Sequence, residues 1–195
     1  GQISHENYGK VITENRLYEI FAGLAAQGAH NIELVTPTQF THILSRVLER
    51  PVPGGLPVVW NSGGYESLSA LRTLEGKVDI YLPDLKYVTP EKGARYSAAA
   101  DYPEAAKAAV LEMYRQRGPA RFEGELLKSG VIIRHLLLPG GLAEAKRVMD
   151  WVSEQFPPGA ELFSLMAQKR AGLAYPKARL NAGWEVILRN QFHDI

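Results

Sequence analysis

Apolar runs recur along the chain, and each carries a polar residue at or near its end. NIELVT closes on Thr36 and LPVVWN on Asn61, while DIYLP leads into Asp84 and Lys86. VIIRHLLLP contains Arg134, and LFSLMA precedes Gln168. The runs lack clean alternation, which is the pattern of parallel strands covered on both faces. Strands are predicted over 31–36, 57–61, 79–83, 131–138 and 161–166.

Between these runs the apolar spacing becomes helical. Thr13 is a candidate N-cap for a helix in which Leu17, Ile20, Phe21 and Leu24 share one stripe. Thr38 starts a second helix that ends before the breaker PVPGG. SGGY turns into ESLSALRTLEG, and Pro103 opens PEAAKAAVLEMYRQRG. PGG ends the fourth run, and LAEAKRVMDWVSEQF follows as helix. Residues 1–12 read as a leading loop, and 88–101 as a mobile loop.

Strand and helix alternate, so the predicted class is α/β with a helix-covered parallel sheet. Five such units cannot close an eight-stranded barrel. A partial (β/α) barrel is expected, with a flavodoxin-like open sheet as the structural competitor. In an α/β barrel the C-terminal strand ends converge on one mouth. The polar strand-end residues are therefore expected to build one site.

Composition narrows the chemistry. The 195 residues suit a single core, with 46% hydrophobic and 22% charged residues. The formal net charge of +1 gives no reason to expect a nucleic-acid or membrane partner. No apolar run nears the roughly 20 residues that span a bilayer, and no secretion signal opens the chain. A cytoplasmic location is the expectation. The sequence has no cysteine, which excludes a disulfide framework, a thiolate metal site and a cysteine nucleophile in this chain.

Asp84 and Lys86 are two apart and share a face if strand geometry persists. Such a pair can grip a zwitterion or hold each other charged. Arg134 interrupts an apolar strand, and a buried guanidinium needs an anion or several acceptors. A ligand, Asp84 or Glu33 could supply them. Arg134 alternates with His135, so a lumen-facing Arg134 leaves His135 packed against the helices. Glu33 is read as lumen-facing or paired. Asn61-Ser62-Gly63-Gly64 is either a ligand cradle or an ordinary strand-to-helix turn. His30 and His42 form no metal set at recognisable spacing. G-x-S-x-G, P-loop and dinucleotide fingerprints are absent.

Several stretches occur together and in order: QISHENYGKVIT, GAHNIELVTPTQF, VVWNSGGYES, VDIYLPDLKY, YSAAADYPEAAKAAVLEMYRQRG, VIIRHLLLPGG and SLMAQ. In these the chain resembles the radical S-adenosylmethionine proteins, in the pyruvate formate-lyase activating enzyme-like branch. The resemblance spans roughly residues 2–168 and leaves 169–195 as an extension. It implies a (β/α)6-type partial barrel. It also implies a 4Fe–4S cluster held by a C-x3-C-x2-C loop, and reductive cleavage of S-adenosylmethionine to a 5′-deoxyadenosyl radical that abstracts hydrogen. By the same resemblance the partners are a glycyl radical enzyme or other protein substrate, and an electron donor such as flavodoxin or ferredoxin. Carried onto this chain, Asp84 and Lys86 match the motif at the cofactor's amino-acid end. Asn61 and Ser62 match the third-strand motif near it, and Arg134 matches the fifth-strand arginine. Thr36-Pro37-Thr38 stands where the family's second-strand motif contacts the amino group, which makes Thr36 a candidate contact.

Two departures shape the expectation. In family sequences QIS follows the last cluster cysteine, so the first strand and the cluster ligands are expected before residue 1. This chain is then a core that does not make the radical by the family's route. The tail LNAGWEVILRNQFHDI is similar instead to a stretch of family 38 α-mannosidases, where His193 would be a zinc ligand; otherwise it reads as an amphipathic helix. The competing reading of the whole chain is a non-catalytic α/β module with internally paired strand-end charges and a sheet edge that recruits another protein.

Overall fold

The apolar runs form a sheet in which each parallel strand lies beside the next in the chain. In the computed structural model, residues 10–138 and 140–156 are described in full and 162–167 as backbone. Strand β1 (Ile32–Val35) pairs with β2 (Val58–Ser62), and β2 with β3 (Ile80–Pro83). A short strand, β4 (Arg121–Glu123), turns back antiparallel onto the start of the long β5 (Leu126–Leu137). β3 pairs parallel with β5, and β6 (Leu162–Ala167) pairs parallel with the later part of β5. The parallel strands thus run β1-β2-β3-β5-β6 without a reversal. The flavodoxin-like order, which reverses near its first strand, is not the one found. Among the described residues β1 ends the sheet on the side of β2.

Helices fill the connections: α1 (Glu14–Ala26), α2 (Thr41–Val47), α3 (Leu68–Thr73), α4 (Pro90–Ser97), α5 (Tyr102–Arg117) and α6 (Leu142–Gln155). The Thr13 hydroxyl accepts from Arg16 N at 3.1 Å and caps α1 as its sequence predicts. Strand alternation divides the core. Ile32, Val58, Trp60, Tyr81, Val131 and Ile133 pack in one cluster with helix residues that include Phe21, Leu44, Leu71, Val110 and Val148. The intervening Val59, Ile80, Leu82 and Ile132 join a second cluster with Leu127, and no helix residue enters it. Among the described residues, helices therefore cover one face of the sheet and none packs on the other. Parallel strands in sequential order place their helices on one face when the crossovers follow the usual right-handed rule.

The segment 88–101, predicted as a mobile loop, instead holds α4. Thr89-Pro90-Glu91 opens it with proline in the first turn, and Ala98 closes it in the left-handed conformation (φ 52°). Gly93 is a packing glycine rather than a breaker, because a Cβ there would sit 2.4 Å from Ala99 O. The second helix begins with a 3₁₀ turn at Thr38–Phe40 and becomes α-helical only from Thr41. The β4–β5 hairpin is not among the predicted strands. No helix of the described residues is long and apolar enough to cross a membrane. Gln168, the opening QIS segment and the 169–195 extension with His193 lie outside the described residues.

Candidate functional site

The helix-free face has an apolar floor and a polar rim. Val59, Ile80, Leu82 and Ile132 make the floor. Two residues further along the same alternation come Asn61 on β2 and Arg134 on β5, with Asp84 and Lys86 just past β3. Leu85, between the two charges, is fully buried in the helix-side cluster, so strand alternation persists through Lys86. His135 turns the opposite way from Arg134. It is buried, and its Nδ1 lies 2.8 Å from Leu85 O. Burial pushes the His135 imidazole below its usual pKa.

The charges meet across β3 and β5. Arg134 Nη2 is 2.9 Å from Asp84 Oδ1, and Lys86 Nζ is 4.0 Å from Asp84 Oδ2. The backbones register the pair: Asp84 bridges Arg134, and Leu85 N donates to Arg134 O at 2.8 Å. Arg134 Nε is buried. Among the described residues this guanidinium donor has no acceptor, and a buried unpaired donor costs about 1–3 kcal/mol. One strand away, Asn61 Nδ2 donates to Glu33 Oε1 at 2.7 Å.

The rim is braced from behind. Gly64 (φ 77°) lies so close to β3 that a Cβ there would be 2.1 Å from Asp84 O. The second glycine of NSGG thus serves a backbone contact. The Tyr102 hydroxyl sits against Asp84 O at 2.8 Å and Gly63 O at 2.9 Å, and accepts from Lys86 N at 3.1 Å. Thr38 Oγ1 donates to Glu66 Oε1 at 2.8 Å, tying the β1–α2 connection to the β2–α3 connection. Burial pushes the Glu66 carboxyl up, while the Thr38 and Ser62 hydroxyls pull it down. Beyond Lys86 a cleft is lined by Lys92, Tyr96, His135, Leu136 and Glu144. Glu144 accepts from Val88 N at 2.7 Å and Thr89 N at 3.0 Å, which fixes the loop after Lys86.

Of the candidate residues, Asp84, Lys86 and Arg134 come together, and Asn61 shares their face. Ser62 alternates away and is 1% exposed on the side of Glu66. Thr36 is exposed where the chain leaves β1, with φ 50°. A β-branched residue in that region is strained. Thr36 N donates to Asn61 O at 2.8 Å, so the strained turn is stitched to the rim strand. Sequence reasoning read Glu33 as lumen-facing or paired, and the structure pairs it with Asn61; Tyr102 and Glu66 it left out of the site. Glu33 carried the same signal as Arg134, a charge inside an apolar run. Tyr102 and Glu66 carried none, since each reaches the rim from a helix or loop. Among the described residues no group of three or more histidines and acids is placed to hold a metal ion.

No protein-family model matches the chain. Nor does any solved structure match it. The chain is similar to an uncharacterized protein of Methanocaldococcus jannaschii, 32% identical over 100 residues. That match covers 51% of this chain and 26% of the archaeal protein, so the chain spans about a quarter of the relative's length.

Proposed function

We propose that this chain is the partial-barrel core of a radical S-adenosylmethionine enzyme, and that the rim of its helix-free face takes the cofactor's amino-acid end. The sequential strand order and the one-sided helices favour a curled sheet with this face as the lumen. The observation that carries the reading is the gathering of Asp84, Lys86 and Arg134 at the strand ends of one face, with Arg134 Nε unpaired among the described residues.

Two groups need testing against these residues. The chain has no cysteine, so a thiolate-held iron–sulfur cluster does not fit the residues present, and no step is derived through it. S-adenosylmethionine fits. At Asp84 two cations face one carboxylate, and either can turn a donor to the ligand carboxylate. Asp84 can accept from the ligand ammonium. The Asn61 amide offers a donor and an acceptor beside them. The apolar floor excludes water from the inner side, which strengthens these contacts. When bound, the sulfonium supplies the carbon–sulfur bond whose reductive cleavage starts hydrogen abstraction. The partners belong to the same proposal: a glycyl radical enzyme or other protein substrate, and flavodoxin or ferredoxin as electron donor.

Calorimetric titration with S-adenosylmethionine tests the reading. Weak binding is expected, and Asp84→Ala or Lys86→Ala is expected to weaken it about tenfold, or about 1.4 kcal/mol. Binding that both variants leave unchanged overturns the assignment.

The 2.9 Å Arg134–Asp84 pair also favours a second reading. In it the rim charges satisfy one another, and the chain is a non-catalytic module that recruits a protein along the β1 edge. That reading expects no heat of binding with the sulfonium, and self-association or partner binding by light scattering. A strict monomer with measurable sulfonium affinity rules it out.

A further inference from the structure

Past the rim, the β3–α4 and β5–α6 connections enclose a small cleft. Lys86 and Lys92 line it, together with Tyr87, Tyr96, His135 and Glu144. Its volume is about 50 Å³. On the scale where one water needs roughly 10–15 Å³, that is room for a few waters or for one compact polyatomic group.

The positive charges of this cleft are not cancelled by its acids. Among the described residues Lys92 has no carboxylate within salt-bridge reach; its Nζ faces the Tyr96 ring, 5.6 Å from the centroid. Asp84 lies 4.0 Å from Lys86 Nζ but 2.9 Å from Arg134 Nη2, so its charge is engaged first by Arg134. Glu144 is the acid of the cleft itself, and both its oxygens are occupied. Oε1 accepts from Val88 N at 2.7 Å and Thr89 N at 3.0 Å. Oε2 accepts from Thr89 Oγ1 at 3.1 Å and Arg147 Nε at 3.4 Å. Two ammonium groups therefore share one small cavity with little to neutralise them. Charge of one sign gathered in a cleft concentrates ions of the other sign. An ammonium is a compact point charge with three donors, which suits the several acceptors of an oxyanion.

We infer that this cleft binds a compact oxyanion, a phosphate or carboxylate group, held between the Lys86 and Lys92 ammoniums. Gly140 and Gly141 also line it and leave that wall without side chains. Tyr96 is 47% exposed and stacks on the buried Tyr87 with centroids 5.9 Å apart, so an aromatic wall borders the charges. The remainder of an anionic molecule lies against Tyr96. The binding stands on the cleft alone, and only its role rests on the proposed function. Lys86 belongs to both the rim and the cleft, so with a sulfonium at the rim the second ligand is a substrate that carries the anionic group.

Amide NMR spectra of the chain, titrated with inorganic phosphate and separately with acetate at constant ionic strength, test the inference. Saturable shifts at the Lys92, Gly140 and Gly141 amides are expected. Saturation with phosphate alone assigns the cleft to phosphoryl groups, and saturation with acetate assigns it to carboxylates. Lys92→Met keeps the stem beside Tyr96 and removes the charge; it is expected to weaken binding about tenfold. Lys92→Arg is expected to restore it. Lys128→Met removes the same charge near the start of β5 and is expected to change nothing. Lys92 is not part of the rim, so Lys92→Met is also expected to leave sulfonium affinity as in the parent, and the two readings fail separately. Shifts that rise linearly with both anions, or binding that Lys92→Met and Lys128→Met weaken alike, overturn the inference.

Discussion

The two faces of the sheet are built from alternate residues of the same strands, yet they are held by different physics. The covered face is a large apolar cluster fed by helices, with Trp60, Leu71, Tyr81 and Val110 fully buried. The bare face has a small apolar floor and a rim of charges. Stability resides on the first face, and the second is free to carry chemistry at its strand ends. Substitutions should therefore separate into those that unfold the chain and those that change what it binds.

The largest effect is expected on the covered face. Leu71→Ala removes a fully buried side chain from the junction of α3 with the sheet. It should cost about 2–5 kcal/mol in a urea unfolding experiment, through lost burial plus the cavity left behind. The same experiment with Leu82→Ala, on the floor of the bare face, should cost less, because the smaller cluster has fewer neighbours to lose. An equal loss in both variants breaks the comparison.

Gly64→Ala comes next, because Gly64 links the two faces. Its φ of 77° opposes any side chain, and its Cβ would lie 2.1 Å from Asp84 O. Gly28 has a similar φ of 83° with nothing within 4 Å. Backbone strain at either should cost about 1–3 kcal/mol. Only Gly64→Ala should also displace Asp84 and weaken sulfonium binding. If Gly28→Ala is equally destabilising and Gly64→Ala leaves binding intact, the NSGG turn has no part in shaping the rim.

The ion pair sharpens the contrast further. Asp84→Ala leaves Arg134, whose side chain is 16% exposed, without its anion. The expected loss is about 1–3 kcal/mol, from a charged donor deprived of its acceptor. Adding Arg134→Met should return most of that stability, as replacement of a whole buried pair does elsewhere. The double variant should still fail to bind the sulfonium. Recovery of stability together with binding would assign the pair a structural role alone.

What the sequence made legible follows the same division. The strands of the parallel sheet could be read because their apolar runs are long and bounded by turns. Arg134 could be placed against His135 because strand alternation is a strict rule, and the structure puts them on opposite faces. The α4 helix could not be read, because Gly93 and the small residues after it mimic a loop unless Ala99 and Pro103 are known to pack on that glycine. The β4–β5 hairpin was hidden for a similar reason: Arg121, Phe122 and Glu123 are all exposed, so burial leaves no mark on them. In the site, charges embedded in apolar runs stood out. The groups that brace them, Tyr102 and Glu66, did not, since their role depends on contacts 18 and 28 residues away.

Glu66 supplies the smallest and most selective prediction. Its carboxyl is pushed above the usual value of 4.5, first by burial, and the nearby Asp84 charge acts in the same direction. The folded state therefore holds a proton there at pH values where the unfolded state has lost it. Stability then falls as pH rises above about 4.5 and levels off once the folded carboxyl has ionised. His135 works in the opposite sense. Its pKa is lowered from 6.5 by burial, so its contribution is lost as pH falls below that value. Glu66→Gln keeps an acceptor for Thr38 Oγ1 and removes the buried charge, while leaving His135 in place. The variant should match the parent at pH 4 and exceed it at pH 8 in urea midpoint, with the acid limb from His135 unchanged. Parallel profiles for the two proteins would mean that Glu66 is ionised at no cost. The two loops it joins would then owe their hold on the rim to the hydrogen bond from Thr38 alone.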